Sequence, residues 1–356
     1  SAAAFAAGAS MEFPPAATVL VPLGAAVGYS RVHVGVHHRS DVWAGAAIAP
    51  SSDRALSFAG QPGVTIPAGA EYLSDPLAFA AAPLSSLTIS LHLAAAPAQQ
   101  TSHPGSRATS YLARGDRVSA PDLPGAKTFE HWFQIAGVEV TAPKGTAAVV
   151  ALGDSITDGH GATTNGDDRW PDVLARRLRP LGLSVLNHGI GGNRLLLDGA
   201  GPNALARFDR DVLGQAGVRY LIVLEGVNDL GTLTRDAPAS PETHADLVRR
   251  MIGAYQQIVT RARAHGIRVI GATILPDGGS SYYHPDAANE ADRQAVNRWI
   301  RVPGDFDAVI DFDRLTRDPA RPDRMAAAFD SGDGLHPGPA GYRAMGEAIP
   351  LSLFVP

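Results

Sequence analysis

The chain has 356 residues, of which 45% are hydrophobic and 18% charged, with a formal net charge of −5. That length exceeds the usual single domain, so two domains are expected, with apolar residues enough for a sizeable core. No basic excess points to nucleic acid or an anionic membrane, the absence of cysteine rules out disulfides and a cysteine nucleophile, and no apolar run reaches the ~18 residues of a transmembrane helix.

Residues 1–13 begin without Met and carry no basic stretch. They read as a tag or disordered N-terminus outside the folded part, with a signal-peptide remnant as the alternative. A secreted or periplasmic location is the expectation. Residues 14–144 show no helical period and alternate instead. Val32, Val34 and Val36 face one way, with Arg31, His33 and Gly35 the other, and Leu87 to Leu93 alternates likewise. Short strands separated by Gly, Pro, Ser and Asp turns argue for an all-β accessory domain, a sandwich or jelly roll. Residues 94–126, rich in Ala, Pro, Ser and Gly, read as long loops, with Phe129 to Ile135 and Val138 to Val140 as closing strands. Pro143-Lys144-Gly145 is the linker, and its shortness leads us to expect the β-rich domain to dock on the next.

From 145 to 356 the pattern changes: apolar strands alternate with helical stretches. Ala147 to Leu152, Leu183 to Leu186, Tyr220 to Leu224, Arg268 to Thr273 and Ala308 to Asp311 read as strands. Helices are expected over Trp170 to Leu178, with Pro171 at its start, from Pro241 to His265, from Ala291 to Ile300, and from Gly338 to Ala348. Five strands joined by crossover helices give a three-layer α/β/α sandwich around a central parallel sheet. Ligands of such sheets sit at the carboxyl ends of the strands.

Three polar segments fall at those ends. Gly153-Asp154-Ser155-Ile156-Thr157-Asp158-Gly159 follows the first strand, Asn187-His188-Gly189-Ile190-Gly191-Gly192-Asn193 the second, and Glu225-Gly226-Val227-Asn228-Asp229 the third. A fourth, Asp333-Gly334-Leu335-His336-Pro337, lies near the C-terminus. A serine hydroxyl needs a base to take its proton and a third group to orient that base. Asp333 and His336, three residues apart on one turn, supply both. Acyl transfer builds charge on the former carbonyl oxygen, and the N–H groups of Ser155 and Gly192 with the Asn228 amide are the natural donors to it. Asp154 is expected to bond nearby backbone N–H groups, Asp229 to be structural and Gly191 to serve a tight turn. Each residue alone has a plainer reading: Ser155 as a helix cap, Asn228-Asp229 as turn chemistry, His336 as a surface side chain. The ordered set favours catalysis.

In that order the four segments resemble the blocks of the SGNH hydrolases, also called GDSL esterases/lipases: Gly-Asp-Ser, a glycine, Gly-x-Asn-Asp and Asp-x-x-His. The resemblance runs from residue 153 to 336 and no block is missing. It implies Ser155 as nucleophile, Asp333 and His336 as its triad partners, and Ser155, Gly192 and Asn228 as the oxyanion hole. It also implies a carboxylic ester hydrolase without cofactor or metal, acting on a small-molecule or glycan ester. Substrates across the family range over acetylated sugars, simple esters, lysophospholipids and thioesters. A short-chain or acetyl esterase directed at carbohydrates is the expectation. The alternatives are a carbohydrate-binding protein with a vestigial hydrolase domain, or an acyltransferase or lysophospholipase of the same fold.

Other motifs fail. Thr157 stands where Gly-x-Ser-x-Gly needs its second glycine, and Arg194 replaces the last glycine of a dinucleotide fingerprint begun at Gly189. His33, His37 and His38 have metal-like spacing, but solvated side chains on a strand edge are the plainer reading. Asp311-Phe312-Asp313 reads as polar residues ending the fifth strand rather than as a phosphatase pair. The loop from Pro276 to Pro285 follows the fourth strand, so Tyr282, Tyr283 and His284 are either substrate contacts or a packed loop, and Arg194 has the same two readings.

Overall fold

The computed structural model describes residues 18–20, 22–24, 32–37, 53–67, 70–79, 84–94 and 102–354. Residues 1–13 and His38 lie outside these, as do the side chains of His33 and His37. Backbone proximity divides the chain into Ser1–Thr146 and Ala147–Pro356.

The first unit carries strands and no helix among its described residues. Val32–His37 pairs antiparallel with Ser86–Leu91, setting Val34 opposite Ile89 and Val36 opposite Leu87, as their alternation requires. Thr18–Leu20 pairs with both Glu139–Val140 and Leu77–Ala78. Leu56, Phe58, Ile66 and Phe79 are the buried core, with Leu87, Ile89, Leu91 and Val140 packed on it. The stretch 94–126 is not loop throughout. Ser102–His103 pairs with Trp132–Phe133, and Ser110–Leu112 with Lys127–Phe129. Strands of two or three residues are too short to show a period, so only their backbone pairing in the fold reveals them.

The second unit is built on five parallel strands: β1 (Ala147–Gly153), β2 (Leu183–Gly189), β3 (Val218–Leu224), β4 (Arg268–Ala272) and β5 (Ala308–Ile310). Their order is β2-β1-β3-β4-β5. Every residue of β1 is buried, which is why it reads as a continuous apolar run rather than an alternating one. The helices are α1 (Ser155–Asp158), α2 (Trp170–Leu178), α3 (Ala204–Phe208), α4 (Val227–Thr234), α5 (Pro241–Ala264), α6 (Ala287–Ile300), α7 (Phe312–Thr316) and α8 (Pro339–Ala348). α2 packs on α8, while α5 packs on α3 and α6. None of the described helices is long and apolar enough to cross a membrane.

Two local readings need correction. α6 begins at Ala287 rather than Ala291, because Asp286 accepts the N–H groups of Ala288 and Asn289 and closes a capping box with the Asn289 side chain. Beyond β5, Asp311 caps α7 instead of extending the strand. Buried Asp313 accepts Arg293 Nη1 at 2.8 Å and Arg301 Nη2 at 2.6 Å, so these carboxylates hold arginines and form no phosphatase pair. The topology matters most at β1. The chain leaves it for β2 on one side and returns past it to β3 on the other, opening a crevice at the carboxyl ends of all three.

Candidate active site

Ser155 is the first residue of α1, directly after β1. The cap of that helix is Asp154, whose Oδ1 accepts the Ile156 N–H at 2.9 Å. The Ser155 hydroxyl is thereby left for other work. Its Oγ lies 2.8 Å from His336 Nε2, and His336 Nδ1 lies 2.6 Å from Asp333 Oδ2. Asp333 Oδ1 accepts two more bonds, from the backbone N–H groups of Leu335 at 2.9 Å and His336 at 2.8 Å. Partial burial works to raise the Asp333 pKa, but the His336 side-chain and backbone hydrogen bonds outweigh it and hold the carboxyl below its usual range. One turn before Pro337 thus sets an imidazole against the serine hydroxyl and a carboxylate against the imidazole.

The donors expected for an oxyanion come from the neighbouring loops. Among the described residues, neither the Ser155 nor the Gly192 N–H meets an acceptor. Gly192 is the residue with left-handed backbone (φ 76°), so the turn depends on it rather than on Gly191, whose N–H goes to Asp158 Oδ2 at 3.1 Å. Asn228 sits in the first turn of α4 after β3. Its Nδ2 donates to the Asn193 carbonyl at 2.7 Å and its Oδ1 accepts Tyr283 Oη at 2.6 Å. A carbonyl only accepts, so the amide has one orientation satisfying both partners, and the second Nδ2 hydrogen is left to donate. Asp229 is structural, taking the N–H groups of Leu195 at 2.8 Å and Leu196 at 3.1 Å, although burial pushes its pKa up to about 6.

Of the loop and arginine candidates, only Tyr283 reaches this machinery. It is buried, its ring lying where a Cβ on Gly231 would come within 2.3 Å, so α4 needs glycine there. Burial raises the phenol's pKa, keeping it a donor. Tyr282 is 59% exposed and accepts from Arg235 Nη1 at 3.2 Å. His284 is exposed. Arg194 turns onto its own loop, bonding the carbonyls of Leu197 and Asp198. If Tyr283 sets the Asn228 amide, Tyr283→Phe should lower kcat about tenfold with KM little changed, the cost of roughly one hydrogen bond at a positioned donor. Steady-state kinetics on any accepted ester reads this, and an unchanged kcat would confine Tyr283 to packing.

Arg207 on α3 carried no sequence signal. It is fully buried and all five of its N–H groups are engaged. Nε bonds Asn193 Oδ1 at 3.0 Å, Nη1 the His188 carbonyl at 2.7 Å and Asp211 Oδ2 at 3.0 Å. Nη2 bonds the Gly153 carbonyl at 3.0 Å and Glu225 Oε1 at 3.4 Å. One guanidinium therefore ties the ends of β1, β2 and β3 beneath the serine. Burial raises the pKa values of both Glu225 and Asp154, the Asp229 carboxylate pushes both the same way, Asp154 adds to the rise at Glu225, and Arg207 opposes it.

A family model described as GDSL-like lipase/acylhydrolase matches residues 151–344. The chain belongs to this family. The GDSL chain is a carboxylic ester hydrolase, an esterase or acylhydrolase by class. Among solved structures it is similar to a putative lipolytic protein of the G-D-S-L family from Desulfitobacterium hafniense, at 22% identity over 57% of this chain and 97% of that one, with a TM-score of 0.43. It is also similar to an acetyl xylan esterase from Geobacillus stearothermophilus, at 19% identity over 59% of this chain and 95% of that one, with a TM-score of 0.42. No curated protein matches it.

Proposed function

We propose that this GDSL hydrolase is a serine esterase that works through an acyl-enzyme on short-chain or acetyl esters, carbohydrate esters foremost. The contact that carries the reading is Ser155 Oγ to His336 Nε2 at 2.8 Å, backed by Asp333 on Nδ1. His336 takes the Ser155 proton as the oxygen attacks the ester carbonyl. The oxyanion is met by the N–H groups of Ser155 and Gly192 and by the Asn228 amide. His336 returns the proton to the leaving alcohol, and water repeats the steps to free the acid. Asp333 keeps the proton of neutral His336 on Nδ1, leaving Nε2 as the base. The glycan preference rests on the appended β-rich unit and on the range of this family.

A fluorophosphonate should label Ser155 and leave Ser155→Ala untouched, and nitrophenyl acetate and acetylated oligosaccharides should be turned over faster than long-chain esters. Absence of labelling would favour a vestigial hydrolase. Transfer to added alcohols exceeding hydrolysis would favour an acyltransferase, and a long-chain preference a lysophospholipase. EDTA should not lower activity, and a loss restored by a divalent ion would overturn the mechanism.

Activity should rise with pH from the acid side, since a general base accepts the serine proton only through an unprotonated nitrogen. Asp333 has a lowered pKa, so its protonation falls further to the acid side and it stays ionised through that rise. The acid limb of kcat/KM should therefore follow one ionisation. A second one in the ordinary carboxylate range would contradict the assignment of Asp333.

A further inference from the structure

His160 lies just beyond α1, five residues past the serine, and its carbonyl accepts Tyr342 Oη at 2.6 Å. Its ring lies over that of His336, with centroids 4.0 Å apart and planes inclined by 39°. Its Nε2 is 3.8 Å from Asp333 Oδ2. One ligand atom from each of His160, Asp333 and His336 falls within 4.8 Å of the other two, the one such trio among the described residues. The His160 and Asp333 side chains are 51% and 37% exposed, so the trio opens to solvent. The hydrolytic steps above give His160 no part.

We propose that His160, Asp333 and His336 form an inhibitory site for a borderline transition-metal ion, Zn²⁺. Two imidazole nitrogens and one carboxylate are a donor set that zinc takes, with water in the fourth position, whereas hard Mg²⁺ prefers oxygen alone. Ligands about 2.0–2.1 Å from zinc stand roughly 3.3 Å apart in tetrahedral geometry. His160 and Asp333, at 3.8 Å, are near that spacing. Asp333 and His336, drawn to 2.6 Å by the proton between them, need to open by roughly 0.7 Å to reach it.

The inhibition follows from the tautomer. Zinc on Nδ1 displaces the proton there, and in the neutral imidazole that proton moves to Nε2. Ser155 needs a lone pair at Nε2, so the metal-bound base cannot accept its proton. Asp333, now a ligand, no longer orients the ring. No proton is lost overall and no redox step is involved.

The test uses the full chain in two arms. Zn²⁺ is titrated into Ser155→Ala protein by calorimetry, and into wild type during ester hydrolysis. One ion should bind, and turnover should fall and recover with EDTA, while Mg²⁺ has no effect. His160→Phe keeps a ring over His336 and removes the donor nitrogen. It should turn over like wild type and need at least about tenfold more zinc for the same inhibition. Equal zinc sensitivity in His160→Phe, or no zinc bound by Ser155→Ala protein, overturns the site. The activity arm rests on the serine-esterase reading and the calorimetric arm does not. Zinc binding without fluorophosphonate labelling would remove the esterase reading and leave the metal site standing.

Discussion

Replacing Ser155 by alanine should lower kcat by several powers of ten, on the order of 10⁵–10⁶, because loss of the nucleophile removes the covalent route altogether. What remains is the catalysis that bound water obtains from the oxyanion donors. The fold should survive. Asp154, not Ser155, caps α1 through the Ile156 N–H, so the helix start is untouched. The side-chain bond lost is the one to His336, whose removal costs about 1 kcal/mol. Turnover and thermal melting of the purified variant read the two halves of this expectation. Substantial residual turnover, with the melting transition intact, would mean that Ser155 is not the nucleophile.

Asn228→Ala should lower kcat by on the order of 10²–10³, about 2.7–4 kcal/mol, with little change in KM, since the donor acts on charge present only in the transition state. Alanine also leaves Tyr283 Oη and the Asn193 carbonyl without the partners they have at 2.6 and 2.7 Å, so some stability is lost as well. Asn228→Asp separates the effects. It retains an acceptor for Tyr283 but offers the oxyanion no hydrogen. If either variant melts like wild type and keeps its kcat, Asn228 has no place in the hole. Tyr283→Phe is the graded companion, with a smaller fall in kcat in the same direction.

The outline of this site was readable in the chain because its signals are local. Gly153-Asp154-Ser155 follows an apolar run that is buried on both sides, and Asp333 reaches His336 within a single turn. Trp170 to Leu178 is readable as a helix from Pro171 near its start and Pro180 beyond its end. Short or ambiguous signals carry less. Ser102–His103 and Ser110–Leu112 lie hidden in a stretch rich in Ala, Pro, Ser and Gly, and the cap at Asp286 starts α6 four residues before Ala291. The sequence points to Gly191 as the glycine the tight turn needs, but the left-handed residue is Gly192, a difference only the backbone conformation shows.

Tyr283, Arg207 and His160 are of another kind. Tyr283 had two readings in sequence, pocket or packing, and it is a buried residue that packs and also holds Asn228, 55 positions away. Arg207 reaches Gly153 across 54 residues and Glu225 across 18, and no motif marks it. His160 meets a histidine near the other end of the second unit. Periodicity and motif spacing report neighbours along the chain, so by itself the sequence determined the five strands of the second unit, the parallel α/β class and the residue types for acyl transfer. The tertiary structure alone decided which side chains meet. The β2-β1-β3 order brings three remote loops to one edge, and hydrogen bonds across that edge depend on packing distances that no local pattern encodes.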